Sequence, residues 1–262
     1  MTLVAGVDIG STTAKCVLLD EGQIVGKSLN PVGVELVKDA ERALERALEG
    51  AGLDRSEVKF VTGTGYGRFK VSFGQLVVTE IGCHAKGAHF LFPGTRLVLD
   101  IGGQDTKAIK VSEKGEVVDF AMNDKCAAGT GRFLDVCAGA LGFDVAEMGP
   151  LSLEARHPVK VTSTCTVFAE SEVTSYVSRG KEPKDIVAGL HESIVSRSLS
   201  LLQRVGVEPE VTFTGGVSRN EGMVRALTRR LNLPIHVSPV SQYIGALGAA
   251  LFGADRVRGG AT

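Results

Sequence analysis

Tryptophan is absent from this 262-residue sequence, and aromatic residues make up only 5% of it. Apolar stretches are interrupted by glycine or charge well before about 18 residues, so no segment predicts a membrane span. The 29 lysines and arginines are balanced by 30 aspartates and glutamates, which leaves no basic surplus for a nucleic-acid backbone or an anionic membrane. We therefore expect no nucleic acid and no membrane among its partners.

We expect no secretory signal, because Met1 leads directly into a strand-like run. The five cysteines form no CxxC pair, and their odd number argues against a disulfide framework. With 44% apolar and 23% charged residues, the composition excludes disordered and fibrous classes. These features predict a globular, cytoplasmic protein whose cysteines are to be judged one by one.

Two common nucleotide-binding motifs are missing as well. No GxxxxGK[ST] sequence occurs, and no GxGxxG follows a strand and opens a helix with an acidic residue downstream. The sequence therefore gives no support to a P-loop or a Rossmann site.

Glycine is abundant, at 33 residues, and part of it belongs to an internal repeat. The segment DIGSTTAK at residues 8–15 is echoed by DIGGQDTK at residues 100–107, and each copy lies between apolar strand-like runs. Such self-similarity indicates a duplicated unit. We predict an α/β protein of two duplicated domains with βββαβ order, one of residues 1–94 plus 241–262 and the other of residues 95–240.

Two helices can be read from local patterns. Residues 35–51 carry apolar side chains at a spacing of 3.6 above a charged face, which predicts an amphipathic helix. The segment that begins at Ile244 is dense in small residues, which allow close helix approach. We expect the second helix to approach its neighbours closely, and it is a candidate hinge between the two halves.

Each repeated turn presents backbone N–H groups and hydroxyls around one point, as a phosphate requires. A lone copy is more often a plain turn, but duplication favours two turns that clamp one polyphosphate. Asp8 and Asp100, at the ends of the preceding strands, would hold Mg²⁺ directly or through water. The predicted phosphate-binding residues are Ser11, Thr12, Thr13, Ala14, Lys15, Gly102, Gly103 and Gln104.

A third glycine turn follows a later strand. The segment TGGVSRN at residues 214–220 places Gly215 and Gly216 where bare backbone lets a flat ring lie close, with Asn220 available for hydrogen bonding. We interpret this segment as an adenosine seat.

Two cysteines differ from the other three. Cys16, Cys83 and Cys137 lie among apolar neighbours and are expected to be small buried side chains. Cys126 and Cys165 each lie just before or at a predicted helix start, where Ser163 or Thr164 would cap the second helix and unpaired N–H groups favour a thiolate. Two such thiolates per chain would hold a [4Fe–4S] cluster across a two-fold axis, and zinc held by four sulfurs satisfies the same count.

The phosphate turns and the adenosine seat resemble, in order, the motifs of the superfamily that contains actin, sugar kinases and the 70-kilodalton heat-shock ATPases. This resemblance implies two ribonuclease-H-like domains with ATP and Mg²⁺ in the cleft between them. It also implies that Gln242 contacts the adenosine and that Gln104 or Asp105 orients the attacking water as the catalytic residue. For Lys15 and Lys107, a solvated strand residue is the alternative to a phosphate contact.

A narrower resemblance rests on DKCAAGTGRF at residues 124–133 and STCTVFAESE at residues 163–172, together with TGYGR at residues 64–68 and the motifs above. The chain resembles the activator component of 2-hydroxyacyl-CoA dehydratases. That family implies an oxygen-sensitive homodimer bridged by one [4Fe–4S] cluster, with Cys126 and Cys165 of each chain as ligands. The family also implies that ATP or ADP binds at the phosphate turns and the adenosine seat. ATP hydrolysis would then drive an electron from reduced ferredoxin or flavodoxin into the dehydratase.

Alternatives remain at this point. The same motifs occur in the ATP-binding subunits of benzoyl-CoA reductases. A small-molecule kinase of the same superfamily is a second hypothesis, although the cysteine pair would then have no purpose. A nucleotide-switched binding protein, or a zinc-linked dimer, is a third.

Overall fold

The structure is a computed structural model that describes residues 2–162 and 165–259. The chain folds into two compact units. Unit 1 contains Met1–Thr95, Val111–Val118 and Gln242–Thr262, and unit 2 contains Arg96–Lys110 and Asp119–Ser241. The domain division predicted from the sequence stays a prediction, and the units differ from it mainly in grouping Val111–Val118 with unit 1.

The described residues form ten β-strands. They are β1 (Val4–Ile9), β2 (Thr13–Asp20), β3 (Gln23–Pro31), β4 (Phe60–Thr64), β5 (Leu76–Val77), β6 (Leu97–Ile101), β7 (Thr106–Val111), β8 (Val117–Asn123), β9 (Val211–Thr214) and β10 (Ile235–His236). Two five-stranded sheets result, with the orders β3-β2-β1-β4-β5 and β8-β7-β6-β9-β10. Equivalent strands occupy equivalent places, which confirms the predicted duplication.

The same part of the chain contains eight α-helices. They are α1 (Leu36–Ala51), α2 (Glu80–Leu91), α3 (Gly131–Leu141), α4 (Met148–Leu153), α5 (Thr166–Ser178), α6 (Pro183–Val205), α7 (Glu221–Leu231) and α8 (Ile244–Gly259). None of the helices in the described ranges has the length and hydropathy needed to cross a membrane. The helix predicted over residues 35–51 is α1, with Glu35 as its N-cap residue.

Strand pairing follows the same rules in both sheets. The central strand β1 is antiparallel to β2 and parallel to β4, and β6 is antiparallel to β7 and parallel to β9. In the first sheet this register places Asp8 opposite Lys15 and Thr64. In the second it places Asp100 opposite Lys107 and Thr214. Each unit therefore brings an aspartate, a lysine and a threonine together at one end of its central strand.

The sheet of unit 1 is covered on both faces, since alternate residues of a strand point to opposite sides. Ala5, Val7 and Ile9 of β1 pack with α1, whereas Val4 packs with α8. A Cβ atom at Gly6 would overlap the carbonyl oxygen of Ala246 in α8. The predicted close packing of this small-residue helix is therefore confirmed.

The core of unit 2 joins its sheet to five helices. Buried side chains from β6 and β9 meet those of α3, α4, α5, α6 and α7; examples are Leu99, Phe213, Phe133, Met148, Val173, Ile194 and Leu227. The longest helix, α6, is not among those predicted from the sequence. Pro183 at its first turn and buried Ile186, Leu190 and Ile194 at helical spacing were the available signals.

Candidate functional site

The first predicted phosphate turn connects β1 to β2. The Gly10 N–H donates to the Thr13 carbonyl oxygen at 3.0 Å and closes the turn. Within residues 2–162 and 165–259, the N–H groups of Ser11 and Thr12 have no hydrogen-bond acceptor. Two open N–H groups beside three hydroxyl side chains suit an oxyanion. Ala14 is buried in β2, so its side chain belongs to the core.

Asp8 lies at the carboxyl end of β1 and is only 6% exposed. The Lys15 Nζ atom is 3.3 Å from its Oδ2 atom. Gly65 has a positive φ of 90°, and a Cβ atom there would overlap Asp8 Oδ1. A Cβ atom at Gly245 would lie 3.0 Å from both Asp8 Oδ2 and His84 Nε2. The absence of side chains at Gly65 and Gly245 therefore leaves space for the buried Asp8 carboxylate.

The second predicted phosphate turn repeats the first. The Gly102 N–H donates to the Asp105 carbonyl oxygen at 3.0 Å, and the N–H groups of Gly103 and Gln104 find no acceptor in the described part of the chain. Gln104 is exposed. The turn is also tied to the start of α3, since the Gly103 carbonyl oxygen accepts from the Arg132 N–H at 2.8 Å.

A buried charge cluster stands behind the second turn. Lys107 is 2% exposed, and its Nζ atom is 3.3 Å from Asp100 Oδ2 and 2.7 Å from Asp105 Oδ2. The Thr214 hydroxyl donates to Asp100 Oδ1 at 2.9 Å. The alternative of a solvated strand residue is therefore wrong for Lys107, because the hairpin register directs it to the buried aspartate. Sequence reasoning missed this ion pair, although the recurring Asp and Lys of an antiparallel hairpin could have indicated it.

Lys15 is not a fully solvated strand residue either. It is paired with Asp8, and its side chain is 15% exposed. Among the described residues it forms an ion pair with one carboxylate, whereas Lys107 forms ion pairs with two. The two equivalent lysines therefore stand in different electrostatic surroundings.

The third glycine turn follows β9. Gly215 is buried with a positive φ of 85°, and Gly216 is exposed. Asn220 caps α7, because its Oδ1 atom accepts from the Met223 N–H at 3.0 Å, and its Nδ2 atom is 3.2 Å from His191 Nε2. Both ends of the carboxamide thus have partners, whereas the sequence led us to expect an available side chain.

Sequence reasoning assigned no role to His191, which contacts Asn220 in the structure. It is 1% exposed, and burial lowers its pKa to about 4, so the ring is neutral at ordinary pH. A neutral Nε2 atom can accept from the Asn220 amide, which fixes the orientation of that side chain. Gln242 is half-buried in the short 3₁₀ helix Ser241–Tyr243 and belongs to unit 1.

Cys126 and Cys165 are the two accessible thiols. Cys126 is exposed in the loop before α3, and its carbonyl oxygen accepts from Asn123 Nδ2 at 2.9 Å. It lies further ahead of the helix than expected, because the N-cap residue of α3 is Thr130. Cys165 is half-buried and is itself the N-cap residue of α5. The capping role predicted for Ser163 or Thr164 lies outside the described residues.

The other three cysteines are buried, as predicted. Burial raises the pKa of Cys16 above its usual range and that of Cys83 and Cys137 to about 12. These thiols therefore stay protonated and are poor metal ligands.

The donor set of one chain suits half of a four-thiolate site. Within the described ranges, no three or more His, Cys, Asp or Glu side chains converge on one point. A [4Fe–4S] cluster takes four thiolates, and so does a four-sulfur zinc site. Two accessible cysteines per chain fit either group only if two chains contribute.

The chain is similar to several known proteins over nearly its whole length. The 2-hydroxyisocaproyl-CoA dehydratase activator of Clostridioides difficile is 46% identical over 97% of this chain and 95% of its own length. The (R)-2-hydroxyglutaryl-CoA dehydratase activating ATPase of Acidaminococcus fermentans is 47% identical over 94% and 95% of the two chains. A subunit of the benzoyl-CoA reductase of Thauera aromatica is 38% identical over 98% and 94%.

Solved structures give the same result for the fold. The activator of the 2-hydroxyisocaproyl-CoA dehydratase from Clostridium difficile with bound ADPNP has a TM-score of 0.95 at 45% identity and covers 99% of this chain and 97% of that one. A ROK family glucokinase from Streptomyces griseus, at 15% identity and a TM-score of 0.61 over 97% and 99%, shares the fold alone. The predicted fold, two duplicated α/β domains of the actin-like ATPase type, is confirmed.

The family model described as BadF/BadG/BcrA/BcrD ATPase family matches residues 5–253. That match spans both repeated turns, the third glycine turn and both accessible cysteines. With nearly full-length relatives above 45% identity beside it, the resemblance inferred from the motifs is confirmed. The chain belongs to the BadF/BadG/BcrA/BcrD ATPase family.

Proposed function

We propose that this chain is a cytoplasmic, ATP-dependent activator that delivers a low-potential electron to a 2-hydroxyacyl-CoA dehydratase. The names of its two relatives at 46% and 47% identity, a dehydratase activator and a dehydratase activating ATPase, support this proposal. Reduced ferredoxin or flavodoxin is the proposed electron donor, and the working form is a homodimer.

In this proposal ATP or ADP binds with Mg²⁺ at the repeated turns. Asp8 and Asp100 hold the metal ion directly or through water, and the open N–H groups of the two turns bind phosphate. Support comes from the solved relative that carries ADPNP. The remaining roles go to Lys15 for phosphate charge, Gln104 or Asp105 for the attacking water, and Gly215, Gly216, Asn220 and Gln242 for the adenosine.

The proposed redox site consists of Cys126 and Cys165 of two chains. A bound [4Fe–4S] cluster would supply one-electron chemistry at low potential. The chain's own contribution is to keep these two thiols accessible while its other three cysteines stay buried. Cys126 is held by its loop, and Cys165 by the start of α5.

One observation carries the proposal: the second phosphate turn is fastened to the loop of Cys126. The Thr130 hydroxyl lies 3.0 Å from the Gly103 carbonyl oxygen and 2.6 Å from the Ala127 carbonyl oxygen. Thr130 is fully buried, so neither contact is exchanged with solvent. A simple kinase has no need for a phosphate turn bonded to a cysteine loop, whereas an ATP-driven electron carrier has.

The test is an anaerobic visible spectrum with iron and sulfide analysis. We expect brown protein with about four irons per two chains, and loss of the colour in both Cys126→Ser and Cys165→Ser. Cys137→Ala, at a buried cysteine of the same unit, is the matched control and should keep the colour. Colourless, iron-free wild type purified without oxygen contradicts the redox proposal, and zinc in its place favours a zinc-linked dimer.

A second candidate is an ATP-binding subunit of a benzoyl-CoA-reductase-type enzyme, favoured by the 38% identity to a benzoyl-CoA reductase subunit. The two are separated by adding the reduced protein and ATP to an inactive 2-hydroxyacyl-CoA dehydratase. Activation supports the dehydratase activator. Stable association with the other reductase chains, without activation, supports the reductase role.

A further inference from the structure

A cavity of about 310 Å³ lies beside Cys126 in unit 2. One wall is the cysteine loop, which contributes Asn123, Cys126 and Gly129, and the other is the C-terminal half of α6. Because Cys126 itself lines the cavity, anything bound there is next to the proposed redox site.

The helix wall is positively charged. Arg197, Ser200 and Arg204 follow one another at intervals of three and four residues, so they share one face of α6. The lining of this cavity includes no Asp or Glu side chain among the described residues. In the same part of the chain, the Arg204 guanidinium makes no hydrogen bond or ion pair with another residue. The charge of Arg204 has no acidic counterpart among the described residues that line the cavity, although the whole chain has a net charge of −1.

Contacts next to the cavity hold the cysteine loop in place. The Thr106 hydroxyl donates to the Gly129 carbonyl oxygen at 2.9 Å. Gly129 has a positive φ of 94°, and a Cβ atom there would lie 3.0 Å from Arg197 Cδ. The absence of a side chain at Gly129 therefore lets the Arg197 stem pass directly beneath the cysteine loop.

We propose that this cavity is a docking site for a carboxylate side chain of the electron-donor protein. The proposal rests on the proposed function, because only a redox role brings a protein donor to Cys126. Guanidinium groups bind carboxylates through short, charge-assisted hydrogen bonds. Charge complementarity at such a position raises the rate of encounter and fixes the orientation in which the partner docks.

The test measures binding rather than turnover. Oxidised flavodoxin and oxidised ferredoxin are titrated into the anaerobic holoprotein by calorimetry at low and at high ionic strength. Arg204→Gln is expected to raise the Kd of the donor by about fivefold or more at low salt, and Arg204→Glu by more. Arg204→Lys should stay close to wild type, and the effect of Arg204→Gln should shrink as salt screens the charge.

Arg156→Gln is the matched control, since it removes the same charge from an exposed position of unit 2 outside the cavity. Circular dichroism and the iron content of each variant report whether the fold and the redox site are intact. A wild type that binds donor no more tightly than Arg204→Gln at low salt overturns the docking site alone. A wild type that binds neither donor protein contradicts the donor named in the proposed function. A Kd change shared equally by Arg156→Gln also overturns the docking site, because it shows a general charge effect.

Discussion

Lys107 and Lys15 occupy equivalent positions in the two units and are expected to do different work. Lys107 is 2% exposed between two carboxylates, whereas Lys15 is paired with Asp8 and keeps contact with solvent. The cation of Lys107 is thus already compensated and holds Asp100 and Asp105 in place. In the proposed function, Lys15 is therefore the lysine that contacts phosphate.

Substitution of each lysine by methionine tests this difference. Lys107→Met leaves the buried Asp100 and the half-buried Asp105 without their cation and should destabilise the protein by about 3–5 kcal/mol. Lys15→Met should change the free energy of unfolding less and mainly raise the KM for ATP. Urea unfolding and ATP hydrolysis measure the two effects. Equal loss of stability in both variants would contradict the assignment.

His191 makes the stability of the protein depend on pH. Burial lowers its folded-state pKa to about 4, while the unfolded ring titrates near 6.5. The unfolded state therefore binds the extra proton first, so stability is full above about pH 6.5 and falls as pH drops toward 4, by up to about 3 kcal/mol. His191→Gln should flatten this part of a urea-unfolding series.

Asp185 is the reference for that measurement, because its contribution to stability changes at a lower pH than that of His191. Hydrogen bonds from the His157 N–H at 2.8 Å and the Arg156 N–H at 2.9 Å lower the pKa of its carboxyl group. Its stabilisation is present above its unfolded pKa and is lost only in acid below that range. A stability loss between pH 6.5 and 4 that survives in His191→Gln would show that another group is responsible.

At the scale of single residues, the repeat predicts which side chains recur but not what they touch. Asp8 and Asp100 stand out in the sequence because the motif is duplicated. The burial of His191 and its contact with Asn220 depend on the packing of α6 against α7, which no local pattern encodes. The same holds for the partners of the Asn220 carboxamide.

Thr130 joins two elements, the second phosphate turn and the Cys126 loop. Its hydroxyl has one proton for two carbonyl acceptors, those of Gly103 and Ala127. Thr130→Val keeps the shape and removes this link, so it should cost about 1–2 kcal/mol of stability. It should also reduce any ATP-dependent change in the rate at which a chelator removes iron, although the Arg132 N–H still bonds the Gly103 carbonyl oxygen. Thr130→Ser, which keeps the hydroxyl, is the control, and an unchanged ATP effect in the valine variant would contradict the link.

Helix α8 packs so closely that single methyl groups are excluded. A Cβ atom at Gly248 would overlap the carbonyl oxygen of Cys83 in α2. Gly248→Ala should therefore destabilise the protein by about 1–3 kcal/mol or more through overpacking. Gly50→Ala in α1 is the matched control, because nothing lies within 4 Å of a Cβ atom there. The control should be neutral or slightly stabilising, since alanine is the better helix former. Equal thermal midpoints for both variants would contradict the packing argument.

At the scale of elements, the sequence predicts best where a pattern is local and repeated. The hairpins β1–β2 and β6–β7 and the helix α1 follow from alternation, glycine turns and a helical stripe. The Cys126 loop is longer than expected, because Gly129 takes a positive φ and the cap falls on Thr130. That bend depends on tertiary contacts with Thr106 and Arg197, which lie far away in the sequence.

For the whole molecule, duplication was the strongest signal. Two copies of one motif were enough to predict two duplicated units with the same βββαβ order of elements. The grouping of Val111–Val118 with unit 1 could not be predicted, since it depends on which unit this hairpin tip contacts and not on its own residues.

The proposed shared cluster makes the oligomeric state depend on iron. Anaerobic protein should have a mass twice that of the 27.5 kDa chain, because four thiolates from two chains hold one group. Whatever binds only the dimer stabilises it, so removal of iron by a chelator should raise the dimer dissociation constant by at least about tenfold. Sedimentation at several protein concentrations, before and after chelation, measures this change. The double variant Cys126→Ser with Cys165→Ser should match the chelated wild type, and Cys137→Ala should match the untreated one. A dimer that persists unchanged after iron loss would mean that protein contacts alone hold the two chains together, and the bridging role of the two cysteines would be wrong.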